Sequence, residues 1–230
     1  MESPTVVFLF DVDNTLLDND RVTADLKRHL EREIGREREH LYWTLFERLR
    51  AELGYADYLG ALQRYRLEHP RDPHVLTVSR FLLNYPFANR LCPNALDAIE
   101  HVKRWGKAVI LSDGDVVFQP RKIEHSGLFE AVDGNVLVYV HKEQELDDVE
   151  RRYPADHYVL VDDKLRILTA VKDVLHARVT TVFPRQGHYA RNSRAVEHYP
   201  PADIRIERIG DLLSYDLHAI VAASKSHIHG

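Results

Sequence analysis

The stretch Val6–Leu17, VVFLFDVDNTLL, constrains this chain more than any other. Five apolar residues, Val6–Phe10, run unbroken and stop at Asp11. A short β-branched and aromatic run that ends abruptly in polar residues reads as a buried strand of a sheet covered on both faces. Asp11 then stands at the carboxyl end of that strand, where open α/β sheets place their ligands. Asp13 follows two residues on, and in an extended segment side chains i and i+2 point the same way. Two carboxylates held close stay ionised together only when a cation lies between them or one takes up a proton. The alternative is a strand-end turn whose Asp and Asn bond to local backbone. These residues alone leave both readings open.

A chain of 230 residues allows one large domain, or a core domain carrying a smaller one. That length supports a core without covalent staples. The formal charge of -5 lacks the basic footprint of a nucleic-acid binder. The single cysteine, Cys92, rules out a disulfide within the chain and fits a reducing compartment. Nothing around it in sequence lowers its pKa, so it is not read as a nucleophile. The 14 histidines are scattered, without zinc-finger spacing. No apolar run approaches the ~20 residues that span a membrane. The opening MESPT lacks the basic and apolar regions of a signal peptide. The expectation is a soluble, cytoplasmic protein that binds neither nucleic acid nor membrane.

Beyond a polar turn at Asp18–Arg21, the apolar spacing becomes helical up to about Tyr85. Leu26, Leu30 and Ile34 lie four apart, as do Leu41, Leu45, Leu49 and Leu53, and each set forms one face of an amphipathic helix. Tyr58, Leu62 and Tyr65, then Val75, Val78, Phe81 and Leu82, continue the pattern. The spacing predicts about four helices inserted after the first strand, with hinges at Asp18–Arg21 and Pro86–Leu91. From Cys92 the pattern alternates. Helices are predicted at Asn94–Trp105, Phe118–Ser126, Glu143–Tyr153 and Lys164–His176. Strands are predicted at Ala108–Leu111, Val136–Val140, His157–Val161 and Val179–Phe183. Arg185–Pro201 reads as a long polar loop, Ile204–Ile209 as a last strand, and a final helix is placed from Asp211, before a mobile tail at Ser224–Gly230. Strands alternating with helices imply a parallel sheet with right-handed crossovers.

Parallel strands share a direction, so their polar ends meet at one edge of the sheet. Those ends are Asp11 and Asp13, Ser112, Lys142, and the pair Asp162 and Asp163. Four carboxylates are too much negative charge for a bare site, and a hard dication such as Mg²⁺ suits an oxygen-lined site that also takes a phosphate. A carboxylate can attack phosphorus and split hydrolysis into two easier steps. Asp11 is the candidate nucleophile and Asp13 the candidate acid and base. Ser112 and the amides of Asp113 and Gly114 are placed on phosphate oxygens. Lys142 is placed as the counter-charge to the phosphoryl group and Asp11.

DVDNT at Asp11–Thr15, VILS ending at Ser112, Lys142, and VDD at Val161–Asp163 together resemble the four motifs of the haloacid dehalogenase superfamily, in the right order. The resemblance covers about Thr5–Asp18 and Cys92–Phe183. It implies a Rossmann-like three-layer α/β core, residues 1–18 and 87–230, with a small all-helical cap at 19–86. It implies phosphorylation of Asp11, acid and base work by Asp13, and a magnesium site completed by the Asp13 carbonyl, Asp163 directly and Asp162 through water. Dehalogenating members lack the second aspartate of the first motif, so Asp13 points to phosphate chemistry. Asp113 and Asp115 depart from the pattern by adding negative charge beside the phosphate loop. The third motif has two candidates, and Lys142 is preferred over Lys122 because it follows a strand directly.

The expected activity is hydrolysis of a small phosphorylated metabolite. A phosphoryl-transferring mutase, a binding module without turnover, and a 2-haloacid dehalogenase stay as alternatives. The aromatic residues of the insert, Tyr42, Trp43, Phe46, Tyr55, Tyr58 and Tyr65, read mostly as its core, and Arg48, Arg50 and Arg64 mostly as a solvated face. Substrate identity and oligomeric state are left open.

Overall fold

The computed structural model describes residues 5–191 and 197–215. Strand β1, Val6–Phe10, is buried along its whole length. It leads into four helices, α1 (Asn19–Ile34), α2 (Arg36–Leu53), α3 (Tyr58–Glu68) and α4 (Val75–Leu83). The chain then alternates through α5 (Ala95–Val102), β2 (Lys107–Asp113), α6 (Phe118–Ser126), α7 (Leu128–Ala131) and β3 (Val136–Tyr139). It continues as α8 (Leu146–Arg152), β4 (His157–Val161), α9 (Leu165–Leu175), β5 (Val179–Pro184), α10 (Gly187–Arg191) and β6 (Ile204–Ile206).

The sheet has six strands in the order β3-β2-β1-β4-β5-β6, and all pairs are parallel. This is the doubly wound order whose direction of winding reverses between β1 and β4. Alternation along β1 divides the core. Phe8 and Phe10 join one apolar cluster with α5, α6 and the inserted helices, whereas Val7 and Leu9 join a second with α8 and α9. Helices therefore cover both faces of the sheet, as the unbroken apolar run requires.

The two passages between insert and core lie side by side. The Asp18 amide donates to Arg90 O at 2.7 Å, and the Cys92 amide to Leu16 O at 2.8 Å. Asp18 also caps α1, its Oδ1 accepting from the Arg21 amide at 2.9 Å, so the turn after β1 starts a helix without a free linker.

Four local expectations change. Within the stretch read as a loop, Gly187–Arg191 is a helix, too short to show periodicity. The helix expected from Glu143 begins at Leu146, behind a 3-10 turn at Lys142–Gln144. The Lys142 amide is held by Asp113 Oδ1 at 2.8 Å, which ties that turn to β2. The last strand stops at Ile206, and Ile209–Ser214 is a 3-10 helix. The expected mobile tail, and the part of the expected final helix beyond Tyr215, lie outside the described residues.

Candidate active site

The carboxyl ends of β1, β2 and β4 build the site. After Asp11 the backbone curls. Asn14 takes a left-handed conformation, φ 61°, which asparagine tolerates better than most residues. The Leu16 and Leu17 amides then turn back onto Val12 O at 3.0 and 2.9 Å. The turn aims Thr15 inward. Its Oγ1 donates to Asp11 Oδ2 at 3.3 Å and accepts from the Asp163 amide at 3.1 Å, joining the first and last motifs.

Asp11, Asp162 and Asp163 are buried, with carboxylate oxygens within 4.8 Å of one another. Lys142, fully buried, stands against them. Its Nζ donates to Asp11 Oδ1 and pairs with Asp162 Oδ2, each at 2.6 Å, and reaches Leu111 O at 3.2 Å. Burial opposes the Lys142 charge, but Asp11, Asp162 and Asp113 outweigh it and raise the pKa, so the ammonium persists. Lys164 follows the same rule: burial is overcome by Asp11, Asp163 and Asp162. Desolvation, reinforced by Asp11, pushes the Asp162 carboxyl up despite Lys142, and desolvation raises Asp163 as well despite Lys164.

Among the described residues, neither buried oxygen of Asp163 has a hydrogen-bond partner. A buried, unpartnered carboxylate costs free energy unless it is protonated or meets a cation. Three oxygen donors with one unsatisfied carboxylate among them suit a hard dication, so the residues present fit Mg²⁺.

Asp13 does not join this cluster. Its carboxylate, 22% exposed, is ion-paired at 2.6 Å with Nζ of Lys122, which is itself 1% exposed. The two lysines weighed for one motif thus occupy different positions, Lys142 on the nucleophile candidate and Lys122 on the acid and base candidate. On β2, Ser112 is buried and its Oγ accepts from Gln119 Nε2 at 2.9 Å. The Asp113 carboxylate faces the Lys142 amide, and burial raises its pKa despite that partner. The Gly114 amide, expected on a phosphate oxygen, donates to Tyr139 O at 2.9 Å and extends the β2–β3 ladder.

A cavity of about 830 Å³ opens between this edge and the inserted helices. Asp13, Asp163, Lys122 and Lys164 line its core side, and Trp43, Phe46, Tyr55, Tyr58 and Arg50 its helical side. Tyr42 and Tyr65 are buried in the insert, and Arg64 pairs with Glu52. Lys164 and α10 were not singled out from sequence. Lys164 could have been, since it directly follows the VDD strand end. From α10, Tyr189 bonds Arg50 of the insert and His188 bonds Asp20 at 2.6 Å. Gln186 anchors that segment through Nε2 to Asn14 O at 2.9 Å and Thr15 O at 2.6 Å.

An acidic cluster with a buried lysine, at the reversal point of a doubly wound sheet under a helical insert, defines a class of hydrolase. A family model for haloacid dehalogenase-like hydrolases matches residues 5–183, and the chain belongs to that family of enzymes. It is 62% identical to a haloacid dehalogenase-like hydrolase from Burkholderia xenovorans LB400, with a TM-score of 0.89 over 93% of this chain and 99% of that one. The fold is shared with L-2-haloacid dehalogenase from Xanthobacter autotrophicus carrying covalently bound chloropropionic acid, at 16% identity, TM-score 0.59, and 90% and 96% of the two chains. It is shared also with the magnesium-bound HAD-hydrolase YfnB from Bacillus subtilis, at 16% identity, TM-score 0.60, and 95% and 99%. A search of curated proteins finds no match. Among the described residues no helix is long and apolar enough to cross a membrane.

Proposed function

We propose that this enzyme hydrolyses phosphate monoesters of small metabolites, with Asp11 as nucleophile and Asp13 as general acid and base. The observation that carries the reading is Asp13 on the cavity wall, a second carboxylate apart from the buried acidic cluster. Displacing a halide from carbon needs no proton donor, because halide is a stable anion. An alkoxide leaving from phosphorus does need one.

An Asp11 oxygen bonds to phosphorus as the bond to the ester oxygen breaks, and that oxygen takes the proton from Asp13 and departs as the alcohol. Water then gives a proton to Asp13 and attacks phosphorus. The Asp11 oxygen–phosphorus bond breaks, and inorganic phosphate leaves with the aspartate restored. Lys142 neutralises charge on Asp11 and on the phosphoryl group, and Ser112 Oγ would donate to an equatorial oxygen. Asp11, Asp162 and Asp163, with the Asp13 carbonyl, would hold magnesium, which supplies positive charge against the phosphoryl oxygens. The magnesium-bound fold neighbour supports that choice of ion. A cavity of about 830 Å³ is of the size that encloses small ligands.

The test is phosphate release from a panel of sugar phosphates, nucleotides and phosphorylated acids with Mg²⁺, beside a 2-chloroacid arm. Expected is phosphate release by the wild type and none by Asp11→Asn. Halide release without phosphate release would overturn the reading.

A further inference from the structure

Helix α6 carries two polar side chains inward, three residues apart and therefore on one face. Gln119, 3% exposed, bonds Ser112 Oγ, and Lys122, fully buried, pairs with Asp13. Helix and phosphate loop press together closely, since a Cβ on Gly114 would lie 2.6 Å from the Gln119 Cβ. Burying a lysine is costly unless its ammonium is paired and its remaining protons find acceptors. Lys122 has both. Its Nζ donates to Asp13 Oδ1 at 2.6 Å and to Asn19 Oδ1 at 3.1 Å, and lies 5.3 Å from the Phe118 ring centroid. Asn19 is the first residue of α1, hence of the inserted helices. Its Nδ2 donates to Tyr58 Oη at 3.3 Å, and Tyr58 Oη is 3.0 Å from Thr23 Oγ1. Tyr58 lines the cavity from the helical side.

We infer that Lys122 is a positioning residue for Asp13: anchored on the rigid core helix, it fixes the direction of the Asp13 carboxylate and, through Asn19 and Tyr58, ties that direction to the placement of the helical wall over the cavity. A lone exposed carboxylate would sample several rotamers, and only those within hydrogen-bond reach of the ester oxygen transfer a proton. The inference rests on the proposed phosphatase reading, because it concerns proton transfer to a leaving alkoxide. Lys122 touches neither Asp11 nor the oxygens of Asp162 and Asp163 in the contacts described, which separates its task from that of Lys142.

The experiment compares two esters that differ in their need for a proton. An alkyl phosphate expels a basic alkoxide, whereas p-nitrophenyl phosphate expels a stable phenolate. Lys122→Met keeps the length and apolar stem of the side chain but removes the ammonium. Read as kcat/KM, which reports departure of the leaving group before the hydrolysis common to both esters, the expected loss is ~10²-fold or more on the alkyl ester, within the usual contribution of a general acid, and much smaller on p-nitrophenyl phosphate. Asn19→Ala, which cuts only the branch to the insert, should show the same ester bias with a smaller loss, and it serves alone if Lys122→Met does not fold. Equal losses on the two esters, or none in either folded variant, would overturn the inference. Wild-type enzyme inert on both esters would overturn the phosphatase reading itself, and is seen before any variant is compared.

Discussion

Asp163 lies buried beside the carboxylates of Asp11 and Asp162, where a cation would be stabilised. Both its oxygens are buried and, among the described residues, unbonded, and desolvation holds its pKa well above the ordinary carboxylate range. A dication at this position would relieve the desolvation and bind the folded state alone. At a concentration 100 times its Kd such a ligand adds about 2.7 kcal/mol of stability. For a chain of this size that corresponds to roughly 5–10 °C in Tm. Thermal melts with and without Mg²⁺ should show the rise in the wild type and its loss in Asp163→Asn. Cys92 is the contrasting case. Burial, aided by Asp18, pushes its thiol up to about 12 despite a hydrogen bond from Gln186 at 3.3 Å. It is therefore no nucleophile at neutral pH, in agreement with its plain sequence surroundings.

Among the elements, the inserted helices have their own polar anchor. Asp72, between α3 and α4, accepts from Tyr65 Oη at 2.6 Å, the His74 amide at 2.9 Å and Arg38 Nη1 at 2.8 Å. Burial alone would raise its carboxyl, but the bonds from Tyr65 and His74 and the charge of Arg38 outweigh it and hold it at about 2, against an ordinary 3.8. A folded-state pKa below the unfolded one contributes stability that is fully present above the unfolded value and lost as pH falls toward the folded one. The contribution of Asp72 should therefore fade between about pH 4 and pH 2. Urea midpoints for Asp72→Asn should lie below wild type at pH 7, by about 1–3 kcal/mol in unfolding free energy. The gap should narrow toward pH 2, and a gap that stays constant or widens there would contradict this role. Strand β1 was readable because an apolar run covered on both faces needs no alternation, and α1 because Leu26 and Leu30 keep helical spacing and are buried. Helix α10 was not readable, since five residues give no period and its task is long-range: Gln186 reaches the backbone of Asn14. The Gly114 amide and the partner of Lys122 were hidden for the same reason, as each bonds across strands or elements distant in sequence.

In the molecule as a whole, reversal of the winding between β1 and β4 sets Asp11 beside Asp162 and leaves a crevice at the carboxyl edge. The inserted helices roof that crevice, and α10 closes one side through Tyr189 and Arg50. The motif order read from sequence was enough to place the strand ends at one edge, because parallel strands share a direction. It could not show that the two lysines pair with two different aspartates. The proposed function turns on one chemical event, transfer of a phosphoryl group to Asp11. The most direct test is rapid acid quench of the enzyme turning over a phosphate ester with Mg²⁺, followed by peptide mass spectrometry. Expected is a phosphoryl adduct on Asp11, accumulating further in Asp13→Asn when an activated aryl ester is used. An unmodified Asp11 during phosphate release, or a carboxyalkyl ester on Asp11 from a 2-chloroacid with no phosphoryl adduct from any ester, would contradict it.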